Sequence, residues 1–349
     1  MKITINGITC DADAGQTVLQ AARANGIYIP SLCYHDKTGV AGKCRVCVAE
    51  VEDMRGLQAT CTLPVREGMK IDTQSEKALS AQRLVVDLLL STGRHDCISC
   101  EKNGICELQD AAYYLGIERP GIQYADVQKG IDESSAFIRV DRNKCISCGR
   151  CVAGCNDVVV NEVLDFGRRG HETSIIFDTD SPMGASTCVQ CGECVQLCPV
   201  GALIEKKSIG KARSWEIEKV RTTCPYCGVG CQLYLHTKGE QIVKVTGVEE
   251  GAPNKGRLCV KGRFGYDFIY SGERLTTPLI KENGAFREAS WDEALDLVAG
   301  KFKQIIAESG PDAIAGVSCA RSINEDSYQM QKLFRAVIGT NNIDHCART

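Results

Sequence analysis

Cysteine is the residue that sets this chain apart: 22 among 349 residues, several times ordinary usage for a chain of this length. The cysteines fall into groups. Cys33, Cys44, Cys47 and Cys61 read C-x10-C-x2-C-x13-C, and Cys97, Cys100 and Cys106 read C-x2-C-x5-C. Cys145, Cys148, Cys151 and Cys155 read C-x2-C-x2-C-x3-C, and Cys188, Cys191, Cys194 and Cys198 repeat that spacing 43 residues later. Cys224, Cys227, Cys231 and Cys259 read C-x2-C-x3-C-x27-C. Thiolates in short-range sets of this kind hold soft metals, either zinc or iron–sulfur clusters. The groups absorb all but Cys10, Cys319 and Cys346, which read as small buried hydrophobes.

Each spacing favours a particular cluster. An unequal loop with one C-x2-C pair, as at Cys33, Cys44, Cys47 and Cys61, suits a 2Fe–2S cluster, with a zinc tetrahedron as the alternative. Gly39 and Gly42 in that loop let backbone N–H groups approach the sulfurs. Cys97, Cys100 and Cys106 leave one iron of a 4Fe–4S cluster without a ligand. Imidazole can supply it, and His95 is the histidine at hand. The twin motif is the bacterial ferredoxin arrangement, with Pro199 after its second copy. There the fourth cysteine of each copy ligates the other cluster. Cys145, Cys148, Cys151 and Cys198 then hold one 4Fe–4S cluster, and Cys188, Cys191, Cys194 and Cys155 the other. Cys224, Cys227, Cys231 and Cys259 suit a further 4Fe–4S cluster, again with zinc as the alternative.

Composition narrows the setting. Net charge is −3, from 41 basic and 44 acidic residues, which offers no basic field for nucleic acid. The longest apolar stretch, Leu84 to Leu90, is short and carries Asp87, far from the ~20 apolar residues of a membrane span. The start, MKITINGITCDADAG, has no apolar signal region. A cytoplasmic location is expected, where reduced thiols favour metal ligation over disulfides.

The elements that must carry these groups are legible in outline. Asn6-Gly7 between alternating segments reads as a hairpin turn. Thr17 opens a helix closed by Gly26, and Val46–Val51 reads as a strand. Thr73 and Glu76 have capping-box spacing ahead of a helix with an apolar face of Leu79, Leu84, Val85, Leu88 and Leu89, stopped by Gly93. Residues 206–216 (KKSIGKARSWE) read as a charged connector. Further on, a strand is expected around Gln241–Val245. Ser290 and Glu293 cap a helix Trp291–Glu308. Asp312–Val317 reads as a strand, Glu325–Val337 as a helix ended by Gly339, and Asn342–Asp344 as a strand.

The order of the groups carries a resemblance. The first two units resemble the N-terminal region of the complex I iron–sulfur subunit and of FeFe-hydrogenases. The twin ferredoxin unit resembles the hydrogenases and certain formate dehydrogenases. CPYCGVGC, followed by RLCVKGRFGYDFI, looks like the start of molybdenum/tungsten bis-molybdopterin guanine dinucleotide (bis-MGD) oxidoreductases. The tail SCARSINEDSYQMQKLFRAVIGTNNIDHCART resembles catalytic subunits of formate dehydrogenases.

That resemblance implies a multidomain α+β chain. A β-grasp 2Fe–2S ferredoxin unit (1–78) precedes a small helical cluster domain (79–118). A bacterial-type ferredoxin with two 4Fe–4S clusters (137–206) precedes a 4Fe–4S domain of the bis-MGD type (217–274). The start of a bis-MGD oxidoreductase α/β domain follows (275–349). It implies one 2Fe–2S cluster, four 4Fe–4S clusters, and Mo- or W-bis-MGD in the complete protein, interconverting formate and CO2. Electrons would pass to a flavin subunit reducing NAD, a ferredoxin or a hydrogenase module. Lys261, two residues past Cys259, matches the lysine that the family places between cluster and pterin as an electron relay; otherwise it is a solvated surface lysine. The family places its cluster-ligating histidine four residues before the first cysteine of the trio. That position is Gly93 here, with His95 two before Cys97. The family's metal ligand, selenocysteine or cysteine, would follow Thr349. The expectation is therefore an artificial terminus from a UGA codon, a chain with no catalytic metal ligand and no activity alone, and uncovered apolar surface at Leu333, Phe334 and Val337. The competing readings are a non-catalytic electron-transfer protein and a complex I-like subunit.

Overall fold

The computed structural model describes residues 1–123 and 128–346. They divide into two compact units, one of residues 1–219 with 236–244 and one of residues 220–235 with 245 onward. Glu218–Thr223, Gln232–Lys238 and Gln241–Gly247 form a three-stranded sheet. Among the described residues no helix is long and apolar enough to cross a membrane.

The first unit opens on the hairpin Lys2–Ile5 and Ile8–Asp11. Asn6 and Gly7 both have positive φ (52° and 80°), as a two-residue turn that follows the strand twist requires. Lys70–Asp72 pairs parallel with the first strand and antiparallel with Val48–Val51, giving a five-stranded sheet with Gln58–Ala59 at its edge. The helix Val18–Ala24 lies on it. Thr17 and Gln20 form a reciprocal capping box, and Val18, Leu19, Ala21 and Ala22 are fully buried with Ile3, Ile5 and Cys10. Cys10 is thus a core residue, as its sequence context suggests.

The next helix, Glu76–Ser91, departs from the expected pattern in two ways. Its cap is Ser75, whose hydroxyl accepts from the Ala78 N–H. Thr73 is instead held by Asn6: its N–H donates to Oδ1 at 2.8 Å, and Asn6 Nδ2 donates to its hydroxyl at 2.8 Å. The inward face is Ala78, Gln82 and Val86, while Leu84 and Leu88 are exposed. Gln82 turns inward because Nε2 donates to the Val48 carbonyl at 2.9 Å and the Thr73 carbonyl at 3.1 Å, tying the helix to the sheet domain. Period alone favours the leucines; two buried carbonyls in need of a donor favour the glutamine.

A loop then carries residues 92–106 to the helix Glu107–Tyr114. The twin motif follows, bracketed by the antiparallel strands Ile138–Asp141 and Leu203–Glu205. Its two short helices are Arg150–Ala153 and Glu193–Leu197, with the hairpin Leu164–Gly167 and Ser174–Phe177 between the copies. Residues 206–216 are no free connector. Arg213 Nη1 donates to the Cys100 carbonyl at 3.3 Å and the Ser214 hydroxyl to the Asn103 carbonyl at 2.6 Å.

In the second unit, Trp291–Ser309 is a helix capped by Ser290, whose hydroxyl accepts from the Glu293 N–H. The following strand is Gly316–Ser318, shorter than expected because Pro311–Ala313 form a 3-10 turn. It pairs parallel with Ile343–His345. Between them Asn324–Lys332 is helical and continues as a π-helical turn, Leu333–Ile338, ended by Gly339 at φ 87°. Phe334 is buried with Ile314 and Ile338, whereas Leu333 and Val337 are exposed. The expectation of an uncovered face therefore fails for Phe334.

Replacing Gln82 with Ala leaves the Val48 and Thr73 carbonyls without that donor in a closed interior. We expect a loss of about 2–4 kcal/mol, read as a lower denaturation midpoint; an unchanged midpoint would show the two bonds to be dispensable.

Candidate metal centres

Three of the first group's four thiols, those of Cys33, Cys47 and Cys61, are buried at 1% exposure, with Cys44 half-buried at the loop's edge. Gly39 and Gly42 take positive φ (68° and 63°), turning the loop so that the amides of Lys43 and Cys44 face Cys33 Sγ. The Cys44 amide lies 3.4 Å from that sulfur. The four thiols hydrogen-bond to one another. Bonds from Cys44 and Cys61 hold Cys33 well below the usual thiol range, and a bond from Cys61 lowers Cys47 to about 6. Cys44 and Cys61, as donors, are pushed up. The sulfurs are linked in a row, Cys44 to Cys33 to Cys61 to Cys47.

The second group gathers as the sequence suggests. His95, Cys97, Cys100 and Cys106 line one cavity with Lys144, Val200 and Gly201. Burial lowers the His95 pKa, favouring the neutral imidazole that can ligate. Its Nε2 lies 3.3 Å from the Leu89 carbonyl oxygen. Position 93 could not carry the family's histidine as folded. A Cβ there would meet the Asn143 carbonyl oxygen at 2.3 Å, and His95 Nε2 lies 3.3 Å from the same point. Gly201, which the sequence reading passed over, is tight against this group: a Cβ would lie 2.6 Å from Cys100 Sγ. Its only signal in the sequence is its place three residues past Cys198.

The twin motif shows its repeat in the backbone. Ser147 and Gln190, each two residues after a first cysteine, both have positive φ (53° and 56°), and so do Gly149 and Gly192 (84° and 75°). The Ser147 amide donates to Cys145 Sγ and the Gln190 amide to Cys188 Sγ, each at 3.4 Å. Cys145, Cys148, Cys151 and Cys198 line one cavity, so the fourth cysteine of the second copy sits with the first three of the first. Cys155 in turn lies among Cys188, Cys191 and Cys194: burial first, then these neighbours, raise the thiols of Cys188 and Cys194.

In the second unit, the Cys224 amide donates to the Cys231 carbonyl at 2.8 Å, closing the compact trio into a loop. Burial, then Cys259 and Cys227, raise the Cys224 thiol, while Lys261 acts against them. Lys261 is exposed, on the short helix Val260–Phe264 that Cys259 begins. Gly262 brings that helix close: a Cβ there would sit 3.4 Å from Cys224 Sγ and 4.0 Å from Cys259 Sγ. Of the leftover cysteines, Cys319 and Cys346 are exposed, with sulfurs 3.6 Å apart, so they are not the buried hydrophobes their type suggests. Among the described residues no three His, Cys, Asp or Glu side chains converge on one point as a single ion requires.

Five family models match the chain in succession. They are a 2Fe-2S iron-sulfur cluster binding domain (1–76), the NADH-ubiquinone oxidoreductase-G iron-sulfur binding region (82–120) and a 4Fe-4S dicluster domain (144–202). The molybdopterin oxidoreductase Fe4S4 domain (217–271) and molybdopterin oxidoreductase (274–349) complete the row. A Bacillus subtilis protein named "Probable oxidoreductase YjgC" is 38% identical over 99% of this chain and 39% of its own length. A Staphylococcus aureus protein named "Putative formate dehydrogenase" is 32% identical over all of this chain and 39% of its own. In its succession of domains the chain is similar to formate dehydrogenase-like molybdopterin oxidoreductases. It spans 39% of the length of those curated relatives. Among solved structures, an NAD+-reducing [NiFe]-hydrogenase matches with a TM-score of 0.57 and 34% identity, over 60% of this chain and 89% of the other. Iron–sulfur domains of both the 2Fe–2S and 4Fe–4S type and a molybdopterin domain are therefore present in one α/β chain.

The thiols set a pH limit on the iron-free chain. Burial holds Cys106 at about 11 and Cys148 at about 12, against 9.0 for a free thiol. On unfolding these groups ionise near 9, so the unfolded state loses its protons first. Stability from these groups is full below pH 9 and falls as pH rises through 11 to 12. Denaturation midpoints of iron-free chain at pH 8 and pH 10.5 check this; equal midpoints would contradict it.

Proposed function

We propose that this chain is the electron-carrying part of a formate dehydrogenase catalytic subunit, with five iron–sulfur clusters in line. The observation that carries the reading is the succession of five separate thiol groups, four of them gathered in one unit, ending in a molybdopterin-type domain. One 2Fe–2S cluster would be held by Cys33, Cys44, Cys47 and Cys61. Four 4Fe–4S clusters would be held by His95, Cys97, Cys100 and Cys106; by Cys145, Cys148, Cys151 and Cys198; by Cys188, Cys191, Cys194 and Cys155; and by Cys224, Cys227, Cys231 and Cys259.

The donor chemistry fits these groups. Burial first, and then repulsion from the neighbouring cysteines, raises the pKa values of Cys148, Cys151 and Cys194. Iron supplies the opposing charge. The amides at Cys33, Cys145 and Cys188 donate to sulfur and stabilise added electrons there. Neutral His95 can complete the second cavity. Bound bis-MGD would supply the two-electron chemistry of formate and CO2. Lys261, whose charge already acts on Cys224, would offset negative charge arriving at the adjoining cluster. The likeness to an NAD+-reducing enzyme over 60% of the chain supports a flavin-bearing, NAD-reducing subunit as the acceptor.

The direct test adds formate to the anaerobically purified complete protein and follows bleaching of the cluster absorbance. Bleaching without any other donor is expected; clusters that dithionite reduces and formate does not would overturn the formate reading and leave an electron-transfer protein. For the ligand at the second cavity, His95→Ala should change one cluster's EPR signal and leave the others as they were. Gly93→His in that background should not restore it, because the Asn143 carbonyl occupies the space. An unaltered spectrum in His95→Ala would assign the ligand elsewhere.

A further inference from the structure

The two copies of the twin motif are alike in backbone and opposite in one charge. Between its second and third cysteines each copy reads Cys-Gly-X-Cys, and X is Arg150 in the first and Glu193 in the second. Both side chains begin a short helix directly after a left-handed glycine. Both are buried, at 2% and 1% exposure. The two residues therefore sit at the same place in the repeat, in the interior, with opposite sign.

Each forms an ion pair outside the twin unit, Arg150 with Glu107 at the start of a helix and Glu193 with Lys37, while Lys43 of the Cys33–Cys44 loop also lies close to Gly149 of the first copy. Arg150 donates in a fork to Glu107, Nη1 to Oε1 at 2.6 Å and Nη2 to Oε2 at 2.7 Å. Glu107 directly follows Cys106. Arg150 Nη2 also lies 3.5 Å from the carbonyl oxygen of Ser31, two residues before Cys33. Glu193 Oε1 accepts from Lys37 Nζ at 2.7 Å, and Lys37, only 11% exposed, lies in the loop between Cys33 and Cys44. Both contacts thus run from inside one cysteine motif to the edge of another.

A buried ion pair adds little net stability, but a buried charge left without its partner costs several kcal/mol. Such pairs therefore select one docking geometry over its alternatives. The alternative here is specific: a twin unit presents two near-identical surfaces, and a neighbouring loop could seat on the wrong one. Glu107, whose side chain is 42% exposed, beside the buried Glu193, or Lys37 beside the buried Arg150, would set like charges together and leave a buried charge without its partner, so the wrong seating is penalised.

We infer that Arg150 and Glu193 are positioning residues whose ion pairs, with Glu107 and with Lys37, fix how the helix start beside Cys106 and the Cys33–Cys44 loop seat on the twin motif. They set the distances across which electrons pass, and not the binding of the clusters. The inference rests on the cluster assignment proposed above.

The test uses the 349-residue chain reconstituted anaerobically with iron and sulfide. Two readouts are taken: iron content, and the EPR relaxation of the reduced 2Fe–2S cluster, which quickens when a paramagnetic neighbour is close. A wild-type chain without iron would end the cluster assignment itself and is seen before any variant is made. With clusters present, Glu193→Lys and Lys37→Met should keep the iron and lose the enhanced relaxation, and the double swap Lys37→Glu with Glu193→Lys should regain it. Arg150→Glu should likewise weaken the coupling of the cluster beside Cys106, with rescue by Glu107→Arg. Unchanged relaxation in Lys37→Met and Glu193→Lys would overturn the inference. So would loss of iron in Lys37→Met, which would make the pair part of cluster binding, or a double swap that keeps its iron without regaining the coupling.

Discussion

The burial of sulfurs in close groups is the constraint around which this molecule is arranged. Thiols packed together in a low-dielectric interior resist ionising, and each neighbour raises the cost for the next. Cys151 and Cys194 show it most strongly, pushed up first by burial and then by the other cysteines of their groups. A fold that gathers thiols in this way is sound only if something positive completes each group. The chain contributes a part of that: amides turned toward sulfur at Cys33, Cys145 and Cys188, and Lys261 acting on Cys224. The proposed clusters contribute the rest.

The local conformations follow from the same demand. An amide can aim at a sulfur two residues back only if the chain turns sharply, and both copies of the twin motif do so through left-handed residues at matching places. The crossing of Cys198 into the first group and Cys155 into the second makes the two halves interdependent, so neither motif is a module by itself. A close approach elsewhere is made by Gly201, where a Cβ would lie 2.6 Å from Cys100 Sγ.

Much of this was legible in the residues. Spacing is a covalent ruler, so the cysteine groups, their crossing and the cavity shared by His95, Cys97, Cys100 and Cys106 could be read before any coordinates. Asn6-Gly7 and Thr17 declared a turn and a helix start because the required atoms are local. What escaped depends on partners distant in sequence. Ser75 caps the second helix because Asn6 claims Thr73, and Gln82 displaces leucines from the inner face because carbonyls of Val48 and Thr73 need a donor. The segment 206–216 is charged yet bound, since its Arg213 and Ser214 serve backbone carbonyls of the Cys97–Cys106 loop. Cys319 and Cys346 each directly follow one strand of the parallel pair and are exposed there, which composition cannot indicate.

The chain spans 39% of the length of the curated relatives it matches, and the proposed function gives it a path for electrons. That path stands on the proposal that each thiol group holds an iron–sulfur cluster rather than a lone ion. Native mass spectrometry of the anaerobically reconstituted chain tests it most directly. The account predicts the added mass of one 2Fe–2S and four 4Fe–4S clusters, about 18 iron atoms per chain with sulfide to match. Stoichiometric zinc, or iron at less than about half that total, would contradict it.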